Sequence, residues 1–183
     1  MKAITDTAAT ALEWKNPLAG GPRYELCAGE DVLAILELGH PATGGATVET
    51  VEGRWTLQPA GFLASSTLLR EEGSDLDLAV FHPGLLGRGH LHFTNGVTFQ
   101  WRHEGLGSAV WSFRGEGGEL LVTLRLEPDR ETGPGLHRVQ AEVHVTPAGH
   151  FSPRVPLLAA LGWYLILMHR EEAVASGPMS PYF

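Results

Sequence analysis

From Tyr24 onward, apolar and polar residues alternate in short runs broken by Gly, Pro, Asn or Asp, the period-two pattern of consecutive antiparallel strands. About eleven such runs centre on Arg23–Cys27, Val32–Leu38, Ala46–Val51, Arg54–Gln58, Phe62–Arg70, Leu76–Phe81, Arg88–Phe93, Val97–Arg102, Ala109–Arg114, Glu119–Leu126 and Leu136–Val145. Four are especially clean. Trp55 and Leu57 alternate with Arg54, Thr56 and Gln58, and Leu76, Leu78 and Val80 with Asp75 and Asp77. Leu120, Val122, Leu124 and Leu126 oppose Glu119, Thr123 and Arg125; Val139, Ala141, Val143 and Val145 oppose Arg138, Gln140, Glu142 and His144. Each such strand keeps one face wet and buries the other.

After Pro153 and Pro156, which suit a helix's first turn, the rhythm changes. Val155–Met168 carries no charge and has no polar face, so as a helix it must be enclosed on every side. It would rise about 21 Å, whereas crossing a bilayer core takes roughly 20 residues. Enclosure by protein follows. A barrel of about eight strands is filled by its own side chains, and one of about eleven can house a helix on its axis. The expected fold is therefore mainly β, a closed antiparallel barrel of about 11–12 strands around a hydrophobic C-terminal helix. Residues 1–13 read as a flexible N-terminal arm, 14–174 as a single barrel-plus-helix domain and 175–183 as an irregular tail. Gly162, with Ala159 and Ala160, would let the helix approach the inner wall.

Antiparallel strands with hairpins such as Asn95-Gly96-Val97-Thr98-Phe99-Gln100-Trp101, closing in an apolar helix, run over roughly Trp14 to Ala173. That pattern resembles the tubby C-terminal-like group, which includes the scramblases and the plant LURP-one-related proteins. The resemblance implies a twelve-stranded barrel around a central hydrophobic helix. Tubby-type phosphoinositide binding depends on clustered basic residues, whereas this chain has only Lys2 and Lys15 beside dispersed arginines, so no functional residue is carried over.

The 183 residues suit one domain. A formal net charge of -8, from 21 acidic and 13 scattered basic residues, argues against a nucleic-acid groove and a polybasic membrane surface. The lone Cys27 excludes a disulfide framework, and the polar start Met1-Lys2-Ala3-Ile4-Thr5-Asp6 does not read as a secretory signal. The expected compartment is the cytoplasm.

His90-Leu91-His92, with His82 and His103 nearby in sequence, is the main candidate chemistry. Gly84, five residues and then His-x-His overlap the first metal motif of cupins, but the following glutamate is replaced by Thr94-Asn95-Gly96-Val97. His90 and His92 are thus candidate metal ligands without a third. Hairpin register bears on this. A two-residue Asn95-Gly96 loop would put both histidines on the aromatic face. A three-residue Thr94-Asn95-Gly96 loop instead gathers Leu91, Phe93, Val97, Phe99 and Trp101 on one apolar face and turns His90 and His92 outward. The second register is expected, because burying unpaired imidazoles against a hydrophobic helix is costly.

Gly53-Arg54-Trp55 is similar to the Gly-x-Trp of lipocalins, yet three strand-like runs precede it, and Trp55 reads as core, as do Trp101 and Trp111. Cys27 reads as a buried thiol; no catalytic residue is assigned and no cofactor is called for. The leading expectation is a non-enzymatic binding or interaction module with a filled lumen, recognising an unknown protein or small ligand. Its function would then lie in rim loops such as Pro83–Gly89, His103–Ser108 and Pro128–Gly135. The alternatives are a metal- or small-ligand-binding barrel of cupin or lipocalin type, with an open lumen and the helix outside, and a lipid-responsive, scramblase-like protein.

Overall fold

The computed structural model describes residues 1–4, 7, 12–18, 21–40, 44–61, 65–105, 108–128, 130–133 and 136–175. The first eleven strands are β1 (Leu12–Lys15), β2 (Arg23–Ala28), β3 (Asp31–Leu38), β4 (Ala46–Thr50), β5 (Gly53–Ala60), β6 (Ser66–Glu71), β7 (Asp77–Pro83), β8 (Gly89–Phe93), β9 (Thr98–His103), β10 (Val110–Arg114) and β11 (Leu120–Leu126). β12 (Arg130–Gly133) and β13 (Leu136–Arg138) form a separate ribbon, and β14 (Ala141–Val145) returns to the main sheet. Each of β2 to β10 pairs antiparallel with both its neighbours in sequence, and β11 pairs with β10. β14 sits between β11 and β1, closing a twelve-stranded barrel.

The final helix runs inside that barrel. A short helix, α1 (Pro147–His150), is tied to the wall through Thr146, whose hydroxyl donates to the Leu120 carbonyl and accepts from Gly149 N–H. The chain then turns inward as α2 (Val155–Ala175), entering beside Phe93, over whose ring the Arg154 guanidinium lies at 4.6 Å. Residues Val155–Tyr164 of α2 are buried on every helical face. The helix touches β3 and β4 on one side and β10 and β11 on nearly the opposite side, so it lies inside. All twelve barrel strands contribute an apolar side chain to the same core, among them Trp14, Leu26, Leu57, Leu91 and Phe113, each without solvent exposure. Among the described residues no helix is long and apolar enough to cross a membrane.

The expected architecture stands, with differences in detail. The twelfth strand is β1, inside and just beyond the stretch read as an arm. Leu12 and Trp14 alternate inward there over too few residues to register as a pattern, and Ile4 is also buried. The run Leu136–Val145 divides, its first residues pairing with β12 and only Ala141–Val145 joining the barrel. α2 ends at Ala175, the first residue of the stretch read as a tail, and 176–183 lie outside the described residues.

In β7 the inner face is the opposite of the expected one. Ala79 and Phe81 are buried, Leu78 and Val80 are only partly so, and Leu76 is 80% exposed. A bulge lets Leu69 face Ala79 while Arg70 faces Asp77, so one extra residue reverses the alternation. The outward Arg70–Asp77 ion pair at 2.7 Å and the inward Phe81 ring are both satisfied by that shift.

Candidate functional site

The β8–β9 hairpin adopts the three-residue loop. Phe93 N–H donates to the Val97 carbonyl at 2.9 Å, Leu91 faces Phe99, and Gly96 takes φ +88°, a left-handed conformation that suits glycine. Leu91, Phe93, Phe99 and Trp101 are buried, while Val97, at the turn, remains 40% exposed. His90 and His92 therefore face outward, where His82 joins them, its ring centroid 5.9 Å from that of His92. The three imidazoles neighbour one another on adjacent strands. Even so, among the described residues no three His, Cys, Asp or Glu side chains converge as a group that could hold a metal ion.

His103 belongs elsewhere. Counting along β9, Phe99, Trp101 and His103 point inward, and His103 reaches the end of the barrel through which α2 leaves. A cavity of about 670 Å³ opens there between the helix and the wall. The lumen is thus incompletely filled, contrary to the sequence-based expectation. The local residues give the reason: α2 leans toward β3, β4, β10 and β11, and the facing wall offers Pro59, Ser66, Thr67, Gly84 and Gly87, which are too small to reach it. At Gly89 even a Cβ would collide with the Phe81 ring, so this glycine gives Phe81 its place beside the cavity.

Both the wall and the helix contribute apolar side chains to the lining. Trp101 and Trp111 line the wall side, and Leu165 and Met168 the helix side. The polar groups are His103, Tyr164, Arg88 and His169, with Ser66 and Thr67. Tyr164 Oη donates to the Gly44 carbonyl at 2.7 Å, and burial pushes its pKa up to about 12, so it remains a neutral phenol at physiological pH. His103 bonds the Ser108 carbonyl through Nε2 and packs on Trp111 with ring centroids 4.8 Å apart. Among the described residues the cavity lining contains no Asp or Glu.

Glu104, next in sequence, turns to the outer face, where it accepts from Ser112 Oγ and, at 2.9 Å, from Arg114 Nη2. The Ser112 bond, aided by Arg114, outweighs burial and holds the Glu104 carboxyl below its ordinary value of 4.5. A depressed carboxylate pKa adds stability above the ordinary value, and that contribution is lost as the pH falls through the lower folded-state pKa. Ser112→Ala is therefore expected to cost about 1 kcal/mol at neutral pH, a moderate figure because Glu104 is partly exposed. Urea titrations should find the difference between wild type and variant shrinking below the ordinary carboxylate pKa. A pH-independent difference would mean that the hydroxyl acts by packing alone.

The remaining sequence candidates are structural. Trp55 is a core side chain, and Arg54 beside it spans Glu49 and Glu72 at 2.7 and 3.2 Å. Cys27 is buried and free, and burial pushes its thiol pKa up, away from thiolate chemistry. Of the loops named above, Pro83–Gly89 and His103–Ser108 contribute Pro83, Gly84, Gly87, Arg88 and His103 to the cavity. A signal for this site existed in the sequence: Thr67 and His103 place polar groups on inward positions toward the same barrel end. Comparison with protein-family models, with curated proteins and with solved structures gives no match.

Proposed function

We propose that this protein is a cytoplasmic, non-enzymatic binding module that holds a small ligand in the cavity between α2 and the barrel wall. The observation that carries this reading is the cavity itself: about 670 Å³, walled by two tryptophans on one side and Leu165 and Met168 on the other, with a few convergent polar groups. Small-molecule sites are commonly apolar spaces of about 300–1,000 Å³ with a few orienting polar groups. Its two most enclosed titratable side chains, Tyr164 and His103, already engage backbone carbonyls. They are placed to orient a ligand more than to exchange protons with one. The likeness to the tubby C-terminal-like group forms part of this proposal through the pattern of twelve strands around a hydrophobic helix. A lumenal helix with a pocket beside it also combines the interaction-module reading with the small-ligand alternative.

Thermal denaturation in the presence of a panel of small amphiphiles tests the reading. A ligand at about one hundred times its Kd should stabilise the fold by about 2.7 kcal/mol, raising Tm by several degrees. Met168→Trp, which fills the cavity from the helix side, should abolish that rise while leaving the unliganded Tm near that of the wild type. Stabilisation of equal size in wild type and variant would place the ligand elsewhere and defeat the proposal.

A further inference from the structure

We infer that the ligand of this cavity is a monoanionic carboxylate on an apolar body, its acid group held by Arg88. The inference rests on the binding reading above and adds the chemical class. Elsewhere the described cationic side chains are engaged. Lys2 and Lys15 hold Asp31 and Glu13, Arg70 and Arg114 hold Asp77 and Glu104, Arg102 bonds Gln100 and Arg154 lies over Phe93. Arg23, Arg54 and Arg125 also have carboxylate partners, and Arg170 has a partner of its own. Among the described side chains Arg88 is the cation left without one, in a chain whose formal net charge is -8.

Its position gives that vacancy meaning. Arg88 lines the cavity, whose described lining carries no competing carboxylate, in the loop between β7 and β8. A guanidinium presents a planar fork matched to a carboxylate, and Arg88 sits at the exposed mouth of the cavity, where it can meet an acid group whose apolar body lies within. One fixed positive charge balances a single negative one, which favours a carboxylate over a phosphate dianion. Trp101, Trp111, Leu165 and Met168 give the cavity the apolar part of its lining, which suits an apolar body bearing the acid group.

Isothermal titration of the full chain with naphthoate and with the neutral naphthylmethanol separates charge recognition from apolar burial. Wild type is expected to bind naphthoate on the order of tenfold more tightly than the alcohol. Arg88→Gln, at an exposed loop position, should bring the two affinities together, and Met168→Trp should weaken both. Equal affinities in wild type, or a preference that survives Arg88→Gln, would overturn the carboxylate assignment and leave the cavity reading standing. If neither compound binds wild type, or Met168→Trp changes neither affinity, the carboxylate inference falls as stated. The amphiphile panel then decides the cavity reading separately.

Discussion

Trp163→Ala is expected to remove about 3–5 kcal/mol of folding stability, the usual cost of emptying a large buried aromatic position. Trp163 has no solvent exposure; its ring stacks on Trp14 at 6.0 Å and 7° and meets Tyr24 edge-on at 5.5 Å. Trp14 and Tyr24 are inner residues of β1 and β2, each strand hydrogen-bonded on both sides, so the wall cannot collapse far into the vacated space. For a chain of this size each kcal/mol shifts Tm by about 2–4 °C, which makes the expected fall on the order of 10 °C. Trp163→Phe keeps a ring and discards an indole N–H that lacks a hydrogen-bond partner, so it should cost roughly half as much or less. Chemical denaturation of both variants checks the difference. Equal losses would show that the remaining ring contributes nothing to holding β1 and β2 against the helix.

Gly162→Leu tests the helix position through the sign of its effect. A Cβ at Gly162 would lie 3.0 Å from both Leu124 Cδ1 and Trp101 Cζ3, and leucine must place three further carbons beyond it. Overpacking of that kind costs about 1–3 kcal/mol and sometimes more. On a helix lying outside the barrel, the same change would stabilise, since glycine is about 1 kcal/mol worse than good helix formers in a helix interior. A lower Tm for Gly162→Leu is the expected result, and a raised one would contradict enclosure. Gly162→Ala sets the same two effects nearly against each other and should fall between.

The helix was legible in the sequence because Val155–Met168 offers no polar face, a property that short propensity fluctuations do not imitate. Strands β5 and β14 were legible because their inward residues, among them Leu57 and Val143, follow an uninterrupted period of two, as do Val122 and Leu124 of β11 beyond the irregularity at Leu121. The β8–β9 register followed from the cost of the alternative. Where the backbone broke the period, the pattern misled: the bulge opposite Leu69 and Arg70 reversed β7, and no side chain in that run announces it. β1 was too short to stand out, and its evidence lies in partners far away in the chain.

The cavity was least legible, because it arises from where α2 leans and from small residues on several separate strands and loops. Thr67 and His103 hinted at it only after their inward direction was known. The more conspicuous histidines, His90 and His92, led to the outer surface instead.

Chain order gives the enclosed helix a consequence for biosynthesis. All twelve staves are translated before the mandrel on which they rest, and the closing seam joins residues as distant as Glu13 and Gln140, whose side chains bond across 127 positions. A nascent chain halted short of Val155 carries greasy inner surfaces such as Leu36, Leu57 and Leu91 with nothing to lie against. Burial of those surfaces therefore waits until α2 has been synthesised, and until then they are exposed to association with other chains. A chain cut short before Val155 is expected to aggregate instead of forming a weakened barrel.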